Sequence, residues 1–402
     1  MIRSAVGEAV LDFPLRDKTA IVGIGWTPFS RNSGFTTLTL ACQAGLRAID
    51  DAGLQPAEID GVVSYFYRRA DSAAPRRLVQ ALGLTCNFHI FSDPGGTWNC
   101  GAVLSAAMLV HAGMCRNVLV VRARNTYSES RKLRAQIGST AVGDDQFTHP
   151  FGEHLAVSTY AHFATAHMAR YGTTSLDFAH LAVTQRKNAL LNTKAMMRKP
   201  ITLEDHQASR MISYPYRLLD CCQQSDGAVA LIVTSAEQAR DLRHRPVYIM
   251  AGAASVTATA GPWETAGVHT APLLYQRAGI GPADLDFAEL YDPFTLMCML
   301  HMEDFGLVEK GGAGEWVRAG GNRLDAALPV NTHGGLLSEA HIHGLNHVVE
   351  AVQQLRPGGV VDDLCSGGRH TYDRTECRQV RDPQFGLVCG EEGESALILR
   401  SD

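Results

Sequence analysis

The fold is indicated by two copies of one unit, AGLQPAEIDGVVSY at Ala52–Tyr65 and AGIGPADLDFAELY at Ala278–Tyr291. Six of their fourteen positions are identical at a constant offset of 226 residues. A unit repeated about half a chain apart predicts a duplicated fold. Each copy ends in an apolar stretch typical of a strand, and open α/β sheets place their chemistry where strands end. We therefore expect two similar α/β halves, with Tyr291 near the centre.

Patterns typical of strands and helices alternate around the two copies. The predicted strands are Thr19–Gly25, Ile59–Tyr65, Asn117–Ala123, Asp226–Val233, Val247–Ala251, Phe287–Tyr291 and Ser395–Arg400. The predicted helices are Thr36–Gly53, Thr97–Ala112, Thr265–Ala278 and Glu339–Leu355. Such alternation, with helices on both faces of a sheet, indicates an α/β fold.

The segment 125–219 interrupts this alternation and is rich in His, Arg, Met and Tyr. We expect it to be an inserted, mainly helical cap or loop domain between a first half (1–124 with 220–244) and a second half (245–402). The cap is either a structural element or dimer arm, or a lobe that covers a substrate. Its basic residues are candidates for meeting phosphate groups, although basic runs are usually just solvated. They are Arg186, Lys187, Lys194, Arg198 and Lys199.

Composition narrows the class of protein. The 402 residues are 46% hydrophobic and include 38 Gly, which fits a globular chain of two halves plus an insertion. No apolar run is long enough to cross a bilayer, and Met1–Lys18 lacks the apolar core of a signal peptide. A net charge of −5 gives no reason to expect nucleic acid as a partner. Ten cysteines without framework spacing fit reduced thiols in a cytoplasmic protein.

Two kinds of cofactor site are not expected. His333, His341, His343 and His347 are close in sequence, and the last two are four residues apart on a predicted helix. No nearby carboxylate or cysteine completes a convincing set of metal ligands, so we expect no metal. Gly23 and Gly25 lack the third glycine of a dinucleotide-binding motif, so NAD is not expected either.

Several stretches together resemble the thiolase superfamily, especially the sterol-carrier-type thiolases and the steroid side-chain-cleaving aldolases. They are TAIVGIGWTPFSR (19–31), GTWNCGAVLSAAMLVHAG (96–113), MMRKPITLEDHQASRMISYPYRLLDCCQQSDGAVALIV (196–233), AELYDPFT (288–295) and PVNTHGGLLSEAHIHGLNHVVEAVQQLR (329–356). The resemblance implies a duplicated five-layer α-β-α-β-α fold, usually dimeric, acting on acyl-CoA thioesters with no further cofactor.

The departures from this family carry the functional prediction. The position of the thiolases' nucleophilic cysteine is Gly96, which has no side chain to attack with, and Cys100 lies one helical turn further in. Where sterol-carrier-type thiolases have His, this chain has Tyr291 in a Tyr-Asp-Pro-Phe motif resembling that of the aldolases. His341 occupies the place of the family's Gly-His-Pro histidine. Cys389 resembles the second thiolase cysteine, as either a remnant or a participant.

These residues predict a retro-aldolase that works without a cysteine nucleophile. We expect Tyr291 and His341 to form the acid/base pair, with either of them as the base. Backbone N–H groups of Gly95–Thr97 (Gly96 and Thr97 among them) and of Gly390 are candidate oxyanion donors. Asp292 and Cys389 are candidates for supporting roles.

The expected substrate is a β-hydroxyacyl-CoA, such as a steroid side-chain thioester with a tertiary alcohol. Cleavage would give a ketone and a short acyl-CoA such as propionyl-CoA. The resemblance also implies a homodimer joined by a separate zinc-ribbon/OB-fold subunit in a heterotetramer. Two alternatives remain open: a thiolase or acyltransferase using Cys100 or Cys389, and a non-catalytic subunit that binds lipid or CoA.

Overall fold

The computed structural model describes residues 13–66, 73–92, 95–130, 143, 145–366 and 368–402. Residues 1–12, where most of the stretch tested for a signal peptide falls, lie outside the described residues. The strands are β1 (Thr19–Trp26), β2 (Gly61–Tyr65), β3 (Phe88–Ser92), β4 (Asn117–Asn125), β5 (Met211–Ser213), β6 (Tyr216–Arg217), β7 (Asp226–Ser235), β8 (Val247–Ala254), β9 (Phe287–Glu289), β10 (Phe385–Cys389) and β11 (Ser395–Arg400).

The large sheet shows the duplication directly in its strand order, β3-β2-β4-β7-β1-β8-β11-β10-β9. In the first half β2 and β4 are parallel, whereas β4 pairs with β7 and β7 with β1 antiparallel. In the second half β9 and β10 are parallel, whereas β10 pairs with β11 and β11 with β8 antiparallel. The two halves meet where β1 pairs briefly with β8. The repeat predicted from the sequence is therefore confirmed.

The helices complete the layers. They are α1 (Thr37–Ala52), α2 (Pro75–Leu82), α3 (Asn99–His111), α4 (Asp145–Thr148), α5 (Ala156–Tyr171), α6 (Ser175–Leu190), α7 (Leu203–Ala208), α8 (Ala236–Ala239), α9 (Gly267–Ala278), α10 (Thr295–Asp304), α11 (Ala313–Arg318), α12 (Gly335–Ser338) and α13 (Leu345–Leu355). Helix α1 packs on β1, β4 and β7, and α9 packs on β8 and β11. Between the halves, α3 and α13 contact strands of both. This is the expected α-β-α-β-α order.

Helix α1 shows how local sequence sets these elements. The Thr36 side chain accepts a hydrogen bond from the Thr39 N–H and so caps the first turn. Gly53 ends the helix in a left-handed conformation with φ of 72°, which costs glycine little. Strands such as β4 and β7 are buried along nearly their whole length, because helices cover both faces of the sheet.

Several predicted elements differ from the structure at one end, and two of these corrections concern the site. The helix predicted from Glu339 to Leu355 begins only at Leu345, because His343 and Gly344 have φ values of 50° and 74° and break the helical path. His341 therefore lies in a loop. The strand predicted to reach Tyr291 ends at Glu289, because the Leu290 N–H and C=O both bond to the Asn331 side chain instead of a neighbouring strand.

The inserted segment is mainly helical in its described part. It contains α4 to α7, and the hairpin of β5 and β6 is its small sheet. Strand β4 runs on to Asn125, just across the expected boundary, and the domain limits themselves stay a prediction. Within the described part of the chain, no helix combines the length and apolar character needed to span a membrane.

Candidate active site

Tyr291 and His341 meet, as the sequence suggested they would. The Tyr291 hydroxyl lies 3.0 Å from His341 Nε2. Tyr291 follows β9 and is fully buried, and its carbonyl lies 2.9 Å from His301 Nδ1 on α10. His341 lies in the loop between α12 and α13, where its N–H donates to the Ser225 hydroxyl. A strand end and a loop at the start of a central helix thus present the two side chains to each other.

Gly96 leaves the space that the Tyr291 hydroxyl occupies. It lies in the short turn Gly95–Trp98 that precedes α3. A Cβ at position 96 would overlap the Tyr291 hydroxyl oxygen and would come within 2.7 Å of Glu391 Oε2. The absence of a side chain at Gly96 is therefore required by the tyrosine. The phenol of Tyr291 occupies the space that the Cβ of any larger residue at position 96 would need.

The His341 ring is held from its other side by Arg124, at the end of β4. Arg124 Nη1 lies 3.2 Å from His341 Nδ1, and Cys222 Sγ lies 3.3 Å from the same nitrogen. Although His341 is partly exposed as a residue, its ring is enclosed by protein. Desolvation, and then the positive charges of Arg124 and Arg122, hold its pKa well below the ordinary value of 6.5. The imidazole is therefore neutral near pH 7.

Glu391 is a third ionisable group at this site, and the sequence analysis missed it. It begins the turn Glu391–Gly393 after β10, and the Tyr160 hydroxyl donates to its Oε1 at 2.9 Å. Desolvation of the carboxyl raises its pKa to about 7. Desolvation and then the charge of Glu391 raise the pKa of Tyr291 well above 10. The available signal was the pair of glutamates after Cys389-Gly390, where the stretch departs from the thiolase motif.

The two cysteines proposed as alternative nucleophiles are fully buried. Cys100 lies on α3 within the central hydrophobic core, and its Sγ is 3.5 Å from the Val388 carbonyl. Desolvation raises the pKa of Cys100 well above 9, and desolvation likewise raises that of Cys389. A thiol must ionise to attack a thioester, so neither environment favours a nucleophile.

The predicted supporting groups are the Asp292 side chain and several backbone N–H groups. Asp292 is fully buried and accepts the Leu336 N–H at 2.8 Å, so it anchors the start of α12. The Gly390 N–H donates to the Ser395 carbonyl at 2.7 Å, and the Gly95 N–H donates to Phe66 at 3.0 Å. These two amides are already paired with carbonyl groups, so the prediction that they are oxyanion donors is corrected. Gly96 and Thr97 remain predicted donors.

The basic cluster of the inserted segment is corrected in part. Lys194 Nζ lies 2.9 Å from Gln353 Oε1 and within 4 Å of Glu339, Glu350 and Asp363, with its side chain only 6% exposed. A cation neutralised by three carboxylates is not a phosphate ligand. Arg186 is also buried, and it donates to the Ser338 hydroxyl and the Lys199 carbonyl.

Lys187 and Arg198 remain exposed. Lys187 lines a cleft together with Arg323 and Arg374, which keeps the phosphate prediction for this residue. The basic residues of the inserted segment thus do not act as one cluster.

Comparison with known proteins supports the family suggested by the sequence. Residues 251–361 match the model of the thiolase C-terminal domain-like family. The chain is 40% identical over 396 residues to a "Steroid side-chain-cleaving aldolase" of Thermomonospora curvata, covering 93% of this chain and 98% of the relative. It is 40% identical over 360 residues to a "17-hydroxy-3-oxo-4-pregnene-20-carboxyl-CoA lyase" of Mycobacterium tuberculosis, covering 85% and 92%.

A solved structure leads to the same family. The structure described as "Ltp2-ChsH2(DUF35) aldolase" superposes with a TM-score of 0.84 at 37% identity, covering 96% of this chain and 99% of that one. The relatives match this chain over nearly its whole length, and in this chain Gly96 has no side chain and Tyr291 contacts His341. The chain belongs to the thiolase superfamily and, within it, to the steroid side-chain-cleaving aldolases.

Proposed function

We propose that this aldolase breaks the Cα–Cβ bond of a β-hydroxyacyl-CoA by moving one proton through Tyr291, without forming a covalent acyl-enzyme. The observation that carries the proposal is the 3.0 Å contact between the Tyr291 hydroxyl and His341 Nε2, made in the space that Gly96 leaves open. A retro-aldol reaction needs proton transfer and stabilisation of an enolate, and it needs no nucleophile. Tyr291, held by His341, is the group proposed to provide the proton transfer.

His341 orients the phenol in this scheme. A guanidinium has only donors, so Arg124 makes His341 Nδ1 an acceptor. The neutral ring then carries its proton on Nε2 and donates it to the Tyr291 oxygen. The proton of Tyr291 is left free to point away from His341. This assignment makes Tyr291 the group that meets the β-hydroxyl of the substrate and His341 the residue that holds it.

Glu391 is the proposed proton acceptor behind Tyr291. A carboxyl with a pKa of about 7 is matched to accept and return a proton at neutral pH. The β-hydroxyl O–H bond breaks as its proton passes by way of Tyr291 to the Glu391 carboxylate. The C–O bond becomes a carbonyl, the Cα–Cβ bond breaks, and its electron pair forms the thioester enolate. The same proton then returns to Cα, so no net acid or base is consumed.

The thioester oxygen that becomes negatively charged requires donors. We propose the backbone N–H groups of Gly96 and Thr97, which lie in the turn leading into α3. Amides at the start of a helix favour negative charge. Because Gly96 lies next to the Tyr291 hydroxyl, an enolate oxygen bound by the Gly96 N–H would also lie beside that hydroxyl.

For the substrate, we propose a steroid side-chain thioester carrying a tertiary alcohol β to the thioester carbonyl. The support is the 40% identity to a relative whose name specifies a 17-hydroxy group and a 20-carboxyl-CoA group. In this chain such a substrate would yield a ketone on the ring and propionyl-CoA. The exposed Lys187 is the proposed contact for a phosphate of CoA. We propose that no metal or organic cofactor takes part in bond cleavage.

We further propose that the chain works in the cytoplasm as a homodimer joined to a separate subunit of zinc-ribbon and OB-fold type. The support is its similarity to the structure whose description pairs Ltp2 with ChsH2(DUF35). The partner would complete a heterotetramer. Size-exclusion chromatography with light scattering, with and without the candidate partner, tests this assembly.

The function is tested by incubating the chain with a β-hydroxyacyl-CoA and measuring ketone by mass spectrometry, with and without the partner. The expected result is equal amounts of ketone and short acyl-CoA, with activity that survives chloroacetamide. Release of a thiolysis product that requires Cys100 or Cys389 would favour a thiolase instead. Unchanged cellular activity in a Tyr291→Phe strain would favour a non-catalytic binding subunit.

A further inference from the structure

A second cluster of reactive side chains lies behind the catalytic pair. Glu289, His333 and His347 are each fully buried and each direct one ligand atom to a common point, with these atoms within 4.8 Å of one another. Glu289 Oε2 is 2.9 Å from His333 Nδ1 and 3.9 Å from His347 Nδ1. The three residues come from the end of β9, the turn before α12, and α13. Separation in sequence hid Glu289 as the carboxylate that completes the set.

The facing atoms are not satisfied by hydrogen bonds. Among the described residues, Glu289 Oε2 and both ring nitrogens of His333 and His347 make no hydrogen bond of normal geometry. The 2.9 Å approach of His333 Nδ1 to Glu289 Oε2 is an ion pair when the imidazole is protonated, so a metal ion would compete with that proton for the same nitrogen. Three of these atoms, Glu289 Oε2 and the two Nδ1 atoms, lie close together in the interior. Leaving them unsatisfied would be costly, because each loses its bonds to water.

The distal ring nitrogens face carboxylates. His347 Nε2 lies 3.3 Å from Asp292 Oδ1, and His333 Nε2 lies 3.7 Å from Glu339 Oε2. Both carboxylates are themselves anchored, Asp292 by the Leu336 N–H and Glu339 by Asn192 and Asn346. A carboxylate behind each imidazole is the usual arrangement around metal-binding histidines, since it orients the ring and raises its basicity.

We propose that Glu289, His333 and His347 bind a divalent transition-metal ion, with Zn²⁺ the best match to two imidazoles and one carboxylate. Ligands of a tetrahedral Zn²⁺ lie about 3.3–3.6 Å apart for bonds of about 2.0–2.2 Å. The distances of 2.9 and 3.9 Å around Glu289 Oε2 lie on either side of this range, and the three ligand atoms lie within 4.8 Å of one another, so the side chains would draw together around the ion. The sequence-based expectation of no metal site is replaced by this proposal.

The ion would support the active site and take no part in bond cleavage. Glu289 is two residues before Tyr291, and the His347 ring lies 6.2 Å from the Tyr291 ring between centroids. A metal at this point would join β9, which leads to Tyr291, to α13, which follows the His341 loop. It would thereby fix the distance between the two segments that carry the catalytic pair.

The test is the metal content of the purified full chain, measured by inductively coupled plasma mass spectrometry after exchange into chelator-treated buffer. We expect about one equivalent of a transition metal per chain. His333→Ala and His347→Ala should lose it. His167→Ala removes a buried histidine that also faces a carboxylate, Glu303 at 3.1 Å, and should keep it. A wild-type content no higher than that of His333→Ala, also after incubation with Zn²⁺, would overturn the proposal and leave a protonated network.

A second measurement does not depend on the folding of a variant. The wild-type chain is stripped with dipicolinate and titrated with Co²⁺. Visible absorption bands that saturate at about one equivalent, with a melting temperature that rises, are expected for Co²⁺ bound by nitrogen and oxygen ligands. Absence of both effects in a folded, stripped chain would contradict metal binding. Because metal content is read without substrate, failure here leaves the aldolase mechanism untouched.

Discussion

The hydroxyl of Tyr291 stands in the place that a side chain on Gly96 would need, with His341 Nε2 3.0 Å from its oxygen. These two positions therefore cannot be varied independently. The absence of a side chain at one and the phenol at the other are a single feature of the shape of the site. From this relationship the chain's behaviour on mutation can be predicted.

Replacing Gly96 by cysteine should strongly lower aldolase activity without creating a thiolase. The new Cβ would overlap the Tyr291 hydroxyl and displace it from His341. We expect turnover to fall by about 10²-fold or more, since small misplacements of a catalytic group have effects of this size. Product analysis by mass spectrometry checks both activities.

The control for that change is Gly45→Ala, in α1, where an added Cβ would meet its nearest neighbour at an ordinary 3.4 Å. It should keep its turnover. Acyl transfer by Gly96→Cys with Tyr291 undisturbed would show that the two positions are not linked.

Tyr291→Phe should lower kcat by roughly 10²–10⁴-fold, the range for removal of a proton-transfer group. The melting temperature should change little, because the ring that packs in the core is retained. Tyr216→Phe is the matched control, since Tyr216 is equally buried and its hydroxyl has no hydrogen-bond partner among the described residues. Steady-state kinetics measure kcat for both variants. An equal loss of kcat in the two variants would indicate that Tyr291 acts through packing.

The pH dependence of turnover should follow the ionisation of the Glu391 carboxyl group. The proposed acceptor must start as a carboxylate, so kcat/KM should rise with pH through about 7 and level off above it. Glu391→Gln should lose both this limb and most of kcat while KM changes less. The charged or titratable groups that act on this carboxyl are Tyr160, Glu392, Arg124 and Glu394. A wild-type limb retained in the variant would assign the titration to another residue.

The pH dependence of protein stability provides an independent check of the raised pKa of Glu391. Because its folded-state pKa of about 7 is above the ordinary 4.5, folding favours the protonated form. The stabilisation is complete below about pH 4.5 and is lost as the pH rises through about 7. Differential scanning calorimetry should therefore show the melting temperature of the wild type falling over this interval relative to Glu391→Gln. Parallel curves would contradict the raised pKa.

Lys194→Met should destabilise the fold, although the sequence suggested a role in CoA binding. The change removes the cation that Glu339, Glu350 and Asp363 share, and Arg378 stays paired with Glu350 and Asp363 only. Breaking a buried ion pair of this kind costs about 3–5 kcal/mol. Arg198→Ala, at an exposed position, should leave stability unchanged. Urea denaturation measures both. A stable Lys194→Met with a raised KM would restore the phosphate-binding interpretation.

The sequence predicted the duplicated fold and the position of Tyr291, but it did not predict every residue of the site. Constant spacing between the two copies predicted the duplication, and the ends of the copies placed Tyr291 in the site. Glu391 and Arg124 were missed because each lies at or just beyond the end of an apolar strand. Only the packing of separate strands brings Arg124 to His341 and Glu391 to Gly96. The helix break at Gly344 was missed because apolar periodicity continues through it while the backbone turns.

Lys194 illustrates a different limit. Its position within a run of basic residues indicated a solvated or phosphate-binding side chain, whereas its three carboxylates lie more than a hundred residues further along the chain. Local charge patterns do not report such distant partners. The same reason explains why Glu289 was not grouped with His333 and His347.

Intact-protein mass spectrometry during turnover of a β-hydroxyacyl-CoA, with ketone measured in the same quenched samples, tests the central claim most directly. The account predicts that ketone accumulates while the chain keeps its unmodified mass, and that Cys100→Ala and Cys389→Ala behave in the same way. An acyl adduct that forms and decays at the rate of turnover would contradict it.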